Sequence, residues 1–187
     1  MIRFLLGFCL ILGTVPGAFA TSRQDAKAFD ELVAQMPEAT SPIRRGQVWF
    51  PTDLAPGTIV VRASERRLYL VLGDSWAMKY GIGVAREGFE WSGEFNISMK
   101  RAWPDWTPPD EMIKRRPDLP RHMDGGPDNP LGARALYLGA TLYRIHGSNE
   151  PETIGQAVSS GCIRMANEDV IDLYERVKVG TKVIIEP

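Results

Sequence analysis

The residues best suited to chemistry are a cysteine near the end of the chain and a histidine sixteen positions before it. A cysteine attacks a carbonyl carbon as its thiolate, so it needs a neighbour that takes its proton. His146 is the better candidate for that base, because His122 lies in a proline-rich stretch and is expected on the surface or in a cleft wall. We therefore predict that Cys162 and His146 form a nucleophile and base pair.

The neighbours of the cysteine are suited to acyl transfer. Gly161 allows the backbone to bend sharply, and the amide groups of Gly161 and Cys162 could form an oxyanion hole. Arg164 shares a face with Cys162 if the segment is extended, and its guanidinium could hold a substrate carboxylate through two hydrogen bonds. A structural salt bridge with a nearby acid is the competing role for Arg164.

The first twenty residues have the pattern of an export signal. Arg3 precedes a short apolar run that ends at Val15, and an Ala-x-Ala sequence ends at Ala20. A bilayer-spanning helix would need about 20 apolar residues, which this run does not supply. Cleavage after Ala20 would remove Cys9 and leave Cys162 as the single thiol, so no intramolecular disulfide is expected. We expect an exported protein of the periplasm or cell envelope.

A metal site and two other cysteine-enzyme classes are disfavoured. A metal needs three or four ligands, and one remaining cysteine with two histidines, without Cys-x-x-Cys or His-x-x-x-His, does not supply them. We expect no metal and no organic cofactor. Papain-like enzymes place cysteine before histidine, whereas here His146 comes first, and the caspase signature around the cysteine is absent.

Charge and length indicate a single domain that does not bind nucleic acid. The chain has 22 Lys and Arg against 23 Asp and Glu, so it carries no basic field that would attract a polyanion. We find no internal repeat, and we expect a monomer. The predicted organisation is a signal peptide over residues 1–20, a lead-in over 21–56 and one catalytic domain over 57–187.

The elements that must position the pair are mostly strands. One predicted strand, Leu142–Ile145, ends directly before His146, and a helix that Asn167 could cap follows the cysteine and stops at Gly180. A further helix is expected over Gln24–Gln35 in the lead-in. The other predicted strands are Thr58–Val61, Arg67–Leu72, a run ending near Val84, Ala135–Leu138 and Lys182–Ile185.

Residues 85–130 differ from the rest, with seven prolines and the tryptophans Trp91, Trp103 and Trp106. Proline is excluded from central strands and long helices, and a long irregular segment in a compact domain is often functional. We therefore expect Phe89–Pro130 to form a lid or wall above Cys162, with Trp103 and Trp106 binding substrate. The alternative is that these tryptophans only fix the loop to the core.

The pattern around the pair resembles the catalytic signature of the L,D-transpeptidases, the YkuD-type domain of bacterial cell-wall enzymes. The similar residues are His146-Gly147-Ser148 and Ser159-Ser160-Gly161-Cys162-Ile163-Arg164-Met165, and the resemblance extends over about residues 57–186, including Asn129-Pro130-Leu131-Gly132. It implies a mainly β, sandwich-like domain with a few short helices and a long Trp/Pro-rich lid or cleft loop.

The resemblance also implies a reaction. Cys162 would attack the carbonyl of the third residue, a diamino acid, of a peptidoglycan stem tetrapeptide and expel the terminal D-alanine. His146 would be the base, oriented by the carbonyl of Gly147, and the amine of a second stem would resolve the thioester to give a 3→3 cross-link. A free D-amino acid or an envelope protein as acceptor stays open, as does water, which would make the protein a hydrolase. A non-catalytic wall-binding domain is disfavoured because both Cys162 and His146 are present.

Two departures from the family pattern concern the substrate. Ser160 stands where many members have a second histidine, and Trp91-Ser92-Gly93-Glu94-Phe95 takes the place of the usual Pro-Thr-Pro-x-Gly stretch. The choice of substrate therefore stays open. The predicted substrate-binding residues are Ser159, Ser160, Gly161, Trp103 and Trp106.

Overall fold

The computed structural model describes residues 27, 28, 30 and 31 and the continuous stretch 41–187. The predicted export signal, with Cys9, lies outside the described residues, as does most of the predicted helix Gln24–Gln35. The four described residues of that helix are helical. Within the described residues no helix is long and apolar enough to cross a bilayer.

Strands dominate the described chain, and the predicted mainly β fold is confirmed. Two α-helices in the described part are α1 (Asp110–Arg115) and α2 (Asn167–Arg176), with a 3-10 turn at Pro151–Thr153. The strands are β1 (Gly46–Trp49), β2 (Ile59–Arg62), β3 (Arg67–Gly73), β4 (Trp76–Gly81), β5 (Val84–Ala85), β6 (Gly93–Ala102), β7 (Arg134–Leu138), β8 (Arg144–His146), β9 (Ala157–Ser159), β10 (Ile163–Arg164) and β11 (Lys182–Glu186).

Nine of these strands form one sheet in the order β1-β4-β3-β2-β11-β6-β7-β8-β10, and β5 pairs with β9 separately. The pairs β2–β11 and β8–β10 are parallel, as is β5–β9, and the others are antiparallel. The strand β1 lies inside the predicted lead-in, and its pairing with β4 extends the sheet. The hairpin from β3 to β4 turns at Asp74 and Ser75, which both have positive φ, as a two-residue loop of type I′ requires.

The sheet buries apolar side chains on both faces. On one face Ile59 and Val61 of β2 join the larger core, against which α2 packs Val170 and Leu173. On the other face Val60 packs in a smaller cluster with Phe50, Tyr69, Val71 and Ala77. A strand buried on both sides gives a continuous apolar run, which is why β2 was visible in the sequence.

The expectation that residues 85–130 contain no central strand is wrong. The ten-residue strand β6 lies in that range, between β11 and β7. All seven prolines of the range come after β6, at position 104 or later, so they leave its ladder hydrogen bonds intact. Most of its side chains are exposed or half-buried, and only Ile97 is buried, so the strand has no apolar alternation to reveal it.

The proline-rich segment that follows β6 is fixed by a backbone bridge and by one buried side chain. Trp106 and Met123 form an antiparallel bridge, with both N···O distances at 2.8 Å. The amide of Asn129, a residue only 1% exposed, donates to the carbonyl oxygens of Pro104 at 3.1 Å and Asp124 at 2.9 Å. One buried side chain thus closes the two ends of the segment on each other.

Candidate active site

His146 and Cys162 are positioned by two short strands that pair in parallel. His146 is the last residue of β8, and Cys162 directly precedes β10. The register partners His146 with Arg164, and side chains alternate along a strand with a period of two residues. Following this alternation back from Arg164, Cys162 lies on the same face as His146. The structure thus brings the predicted base and nucleophile to one face of one strand pair.

The imidazole of His146 is held in one tautomer. Its Nδ1 lies 2.6 Å from the carbonyl oxygen of Gly147, and since a carbonyl only accepts, Nδ1 donates the hydrogen. Nε2 is then the proton acceptor of the neutral ring. Burial is the largest cause that lowers the pKa of His146 to about 3; the charges of Arg164 and Arg144 lower it further, while the bond to Gly147 opposes them. The ring is therefore neutral at neutral pH.

Close-packed backbone lies behind His146. A side-chain carbon added to Gly132 or to Gly147 would collide with Oδ1 of Asn167, and at Gly147 it would also lie 3.0 Å from the amide nitrogen of Ala133. Gly132 has a φ of +61°, which favours glycine as well. The Gly147 and Gly132 positions of the sequence signature thus have a physical role, which is to let two chain segments touch beneath the base.

The prediction that Asn167 caps α2 is wrong. Ala166 occupies the cap position and makes no side-chain cap bond, and Asn167 is the first residue of the helix. Its Oδ1 instead accepts a hydrogen bond from the amide of Ala133 at 2.9 Å. The side chain that was expected to cap its own helix therefore joins the helix to the turn that leads into β7.

The turn before Cys162 is organised by Ser159. Its hydroxyl donates to the carbonyl of Cys162 at 2.6 Å and accepts from the amide of Gly161 at 3.2 Å. The amide of Gly161 is therefore engaged, and only the amide of Cys162 makes no hydrogen bond within the described residues. Of the two predicted oxyanion donors, the Cys162 amide is the one that can point at a substrate oxygen. Gly161 has a φ of +118°, a region that L side chains rarely adopt.

Two aromatic side chains hold this turn. The indole Nε1 of Trp91 donates to the carbonyl of Gly161 at 2.6 Å. The Trp91 ring stacks on Tyr143, with centroids 4.0 Å apart and planes inclined by 9°, and a side-chain carbon at Gly161 would collide with the Tyr143 ring. These contacts were not predicted from the sequence, although Trp91 stands in the segment that departs from the family pattern. The presence of a tryptophan in that segment was the sequence signal that could have revealed the contacts with the cysteine turn.

The thiol of Cys162 is partly exposed and faces a carbonyl rather than the imidazole. Within the described residues its hydrogen bond goes to the carbonyl of Leu142, with a long Sγ···O distance of 4.0 Å. The guanidinium of Arg144 donates to the same oxygen at 3.1 Å. Catalytic hydrogen bonds are often loose without substrate, so the lack of a bond between Cys162 and His146 does not remove the pair.

Arg164 forms a salt bridge, which was the alternative to substrate binding that the sequence left open. Its Nη1 lies 2.9 Å from Oε2 of Glu150 and 3.5 Å from Oγ1 of Thr153. Its side chain is only 22% exposed, and its backbone pairs with Gly83 through two hydrogen bonds of 2.9 Å. A substrate carboxylate would have to compete with Glu150 for this guanidinium.

Ser160 is bound by an arginine. Nη1 of Arg86 donates to the Ser160 hydroxyl at 2.9 Å, and the guanidinium carbon of Arg86 lies 4.1 Å from the centroid of the Phe89 ring. Arg115 of α1 approaches the same ring at 5.5 Å. The serine that replaces the second histidine of many relatives is therefore tied to a loop that begins the predicted lid.

The structure separates the tryptophans of the predicted lid. The expectation that Trp103 binds substrate is wrong, because this residue is 1% exposed and its indole donates to Asp30 at 3.1 Å. Trp106 is half-buried and, in the described part of the chain, makes no hydrogen bond or ring contact with the cysteine turn, so its substrate contact stays a prediction. Trp91 is the tryptophan that reaches the turn.

A cavity of about 410 Å³ opens beside the turn. Trp91, Gly161 and Ile163 line it together with Arg66 and Pro187, whereas Cys162 and His146 are not among its lining residues. His122 contacts Thr107 at 3.2 Å and Asp124 at 3.3 Å and is not part of this arrangement. Within the described residues no three His, Cys, Asp or Glu side chains lie where they could hold a metal ion.

Comparison with protein families decides the assignment. The model of the YkuD L,D-transpeptidase catalytic domain matches residues 56–185, more than half of the chain. The chain belongs to the YkuD family of L,D-transpeptidase catalytic domains. The resemblance noted from the sequence is thereby confirmed, and the family is a cysteine-dependent class of transferase.

Similarity to individual proteins supports the same family. The chain is 38% identical over 157 residues to the Probable L,D-transpeptidase ErfK/SrfK of Escherichia coli, covering 80% of this chain and 50% of the relative. It thus spans about half the length of this curated relative. A solved L,D-transpeptidase from Mycobacterium smegmatis is similar in fold, with 17% identity, a TM-score of 0.55 and coverage of 70% of this chain and 58% of that one.

One similar structure has a different name. It is described as a probable carnitine operon oxidoreductase from Brucella melitensis, and it is 48% identical with a TM-score of 0.53, covering 78% of this chain and 94% of that chain. That name applies to the Brucella protein. The YkuD assignment of the present chain rests on the family match and on the site described above.

Proposed function

We propose that this protein is an exported peptidoglycan L,D-transpeptidase that acts as a monomer on donor and acceptor stem peptides. The thiol of Cys162 gives its proton to Nε2 of His146, and the sulfur attacks the carbonyl of the third-position diamino acid. The C–N bond to the terminal D-alanine breaks, His146 returns the proton to the leaving amine, and a thioester remains. The amine of a second stem then attacks the thioester, closes the cross-link and restores the thiol.

The single observation that carries this proposal is the state of His146. Its bond to the Gly147 carbonyl leaves Nε2 as the proton acceptor, and burial keeps the ring neutral on the face that Cys162 shares. A thiol becomes a nucleophile when a neutral base takes its proton, and the face that the two residues share supports this role for His146.

The remaining groups support the acyl-transfer step. The Cys162 amide can donate to the oxyanion that forms on the attacked carbonyl, since it has no acceptor within the described residues. Exclusion of water from the thioester by the lid would favour an amine acceptor over hydrolysis.

The test is incubation with purified muropeptides, followed by mass analysis of the products and of the intact protein. We expect dimeric muropeptides with a 3→3 link, free D-alanine, and a protein mass increased by the acyl group. Cys162→Ala should give none of these. Shortened stems without dimers would replace the transpeptidase by a hydrolase, and unchanged substrate with unchanged protein mass would overturn both activities. Detection of the processed protein in the periplasmic fraction would test export separately.

A further inference from the structure

The side chain of Arg144 lies at the nucleophile, and the proposed mechanism does not use it. Its Nη1 and the sulfur of Cys162 both approach the carbonyl oxygen of Leu142, at 3.1 and 4.0 Å. Its charge is also one of the causes that lower the pKa of His146. The guanidinium is thus a neighbour of both members of the candidate pair, separated from the thiol by a single carbonyl oxygen.

No acid neutralises Arg144 within the described residues. Its contacts there are the Leu142 carbonyl and the ring of Tyr137, whose centroid lies 5.1 Å from the guanidinium carbon. Its Nε is buried and has no hydrogen-bond partner. A half-buried cation with an unsatisfied donor and no counter-ion costs folding free energy, so stability alone gives no reason for an arginine here.

The other two arginines of the site are less suited to bind an anion at the sulfur. Arg164 is engaged by Glu150 at 2.9 Å. Arg86 has no acid partner in the described part of the chain, but it is tied to the hydroxyl of Ser160, two positions before the nucleophile, and stacked on Phe89. Arg144 alone combines an unpaired charge with contact to the same oxygen as the thiol.

We infer that the guanidinium of Arg144 binds a carboxylate of the acyl donor beside Cys162. This inference rests on the proposed function, in which the donor is a stem peptide. Such a donor has two carboxylates near the attacked carbonyl, one on the diamino acid and one on the terminal D-alanine, and either could accept the charged hydrogen bond. The binding site selects donors with a negative charge at this position and disfavours donors in which that carboxylate is amidated.

The test compares three synthetic tetrapeptide donors with the wild-type protein: the free acid, the amide at the diamino acid, and the amide at the terminal residue. We expect kcat/KM for one of the two amides to fall about 10- to 100-fold below the free acid, the range expected for a hydrogen bond between charged groups. The amide that is disfavoured identifies the carboxylate. Arg144→Gln should lose this preference, with equal kcat/KM for acid and amide, and Arg144→Lys should retain part of it.

The ratio between donors separates binding from structural damage. If Arg144→Gln were merely misfolded, its turnover would fall on all three donors alike and the preference would persist, which would overturn the inference. Preference retained in Arg144→Gln but lost in Arg86→Gln would also overturn it and move the carboxylate to Arg86. Arg44→Gln is the matched control, because Arg44 is exposed and lies outside both the site and the predicted lid, and this variant should behave as wild type. A wild-type protein that acts on no donor would refute the proposed function instead.

Discussion

His146 and Cys162, the predicted base and nucleophile, are held by different kinds of contact. Behind His146, glycine backbones and the Asn167 side chain touch so closely that no further carbon fits. At Cys162 the turn is held by side chains that reach it from elsewhere, the indole of Trp91, the ring of Tyr143 and the hydroxyl of Ser159. The position of His146 is therefore set by backbone packing and that of Cys162 by side chains, and we expect that the side chains can be replaced with less damage to the fold.

The largest expected effect comes from filling the contact behind the base. Gly147→Ala would place a carbon against Asn167 and 3.0 Å from the Ala133 nitrogen, where neither neighbour can move easily. We expect a loss of about 3 kcal/mol in the free energy of unfolding, measured by urea denaturation. Gly46→Ala is the matched control, since a carbon there meets nothing within 4 Å. An equal loss of unfolding free energy in the two variants would show that the contact behind His146 is not tightly packed.

The buried neutral state of His146 makes stability depend on pH. Its pKa is lowered to about 3 in the folded protein from an ordinary value near 6.5, so between these values the unfolded chain binds the proton and the folded protein does not. Stability should therefore fall as the pH decreases through this window. Between pH 6 and pH 4, wild type should lose about 2 kcal/mol more than His146→Gln, measured by urea midpoints at each pH. Parallel curves for the two proteins would contradict a lowered pKa.

On the nucleophile side, Trp91→Phe keeps an aromatic ring against Tyr143 but removes the donor to the Gly161 carbonyl. A neutral hydrogen bond of this kind contributes about 1 kcal/mol, so turnover of a muropeptide donor should fall about fivefold to tenfold while the fold persists. Trp76→Phe, at an exposed position on β4, serves as the control. If thermal melting of Trp91→Phe fell as far as that of Gly147→Ala, the two sides of the site would not differ in the way described.

The smallest effect is expected at Asp169, two residues along the helix from Asn167. Burial is the main cause that raises the pKa of Asp169 to about 6, although Arg45 at 3.1 Å opposes it. A raised folded pKa stabilises the protein at low pH, and that stability is lost as the pH rises through about 6. Asp169→Asn imitates the protonated form and should gain about 1 kcal/mol relative to wild type at pH 7.5, with the gap closing below pH 5. A loss at pH 7.5 would mean that the pair with Arg45 outweighs burial.

The sequence was sufficient for features that depend on local pattern. The bounds of β3 and β7, which are apolar runs, and of the strand that ends at His146 were predicted to within two residues. The cysteine and histidine were found because their chemistry is rare and their spacing is characteristic. These signals are contained within a few neighbouring residues.

Features that depend on contacts between distant segments were missed. Nothing near Asn167 in the sequence shows that Ala133 will use its side-chain oxygen, so the expectation of a cap followed the local rule and was wrong. The strand β6 was hidden because its side chains are mostly exposed, and its place in the sheet is fixed by the strands on either side. Likewise the importance of Arg144 depends on a shared carbonyl that only the folded turn creates.

The parallel pairing of β8 with β10 has a further consequence for how the domain forms. It joins Ile145 to Ile163, so His146 and Cys162 belong to one short, continuous piece of chain. The parallel pairing of β2 with β11 joins Ile59 to Val183, so the loop that it closes contains nearly the whole domain. Because the entropy lost on closing a loop grows with the logarithm of its length, the shorter loop costs about 2 kcal/mol less to close. Closing the segment that contains the candidate site therefore costs less conformational entropy. This segment can form before β2 and β11 are joined.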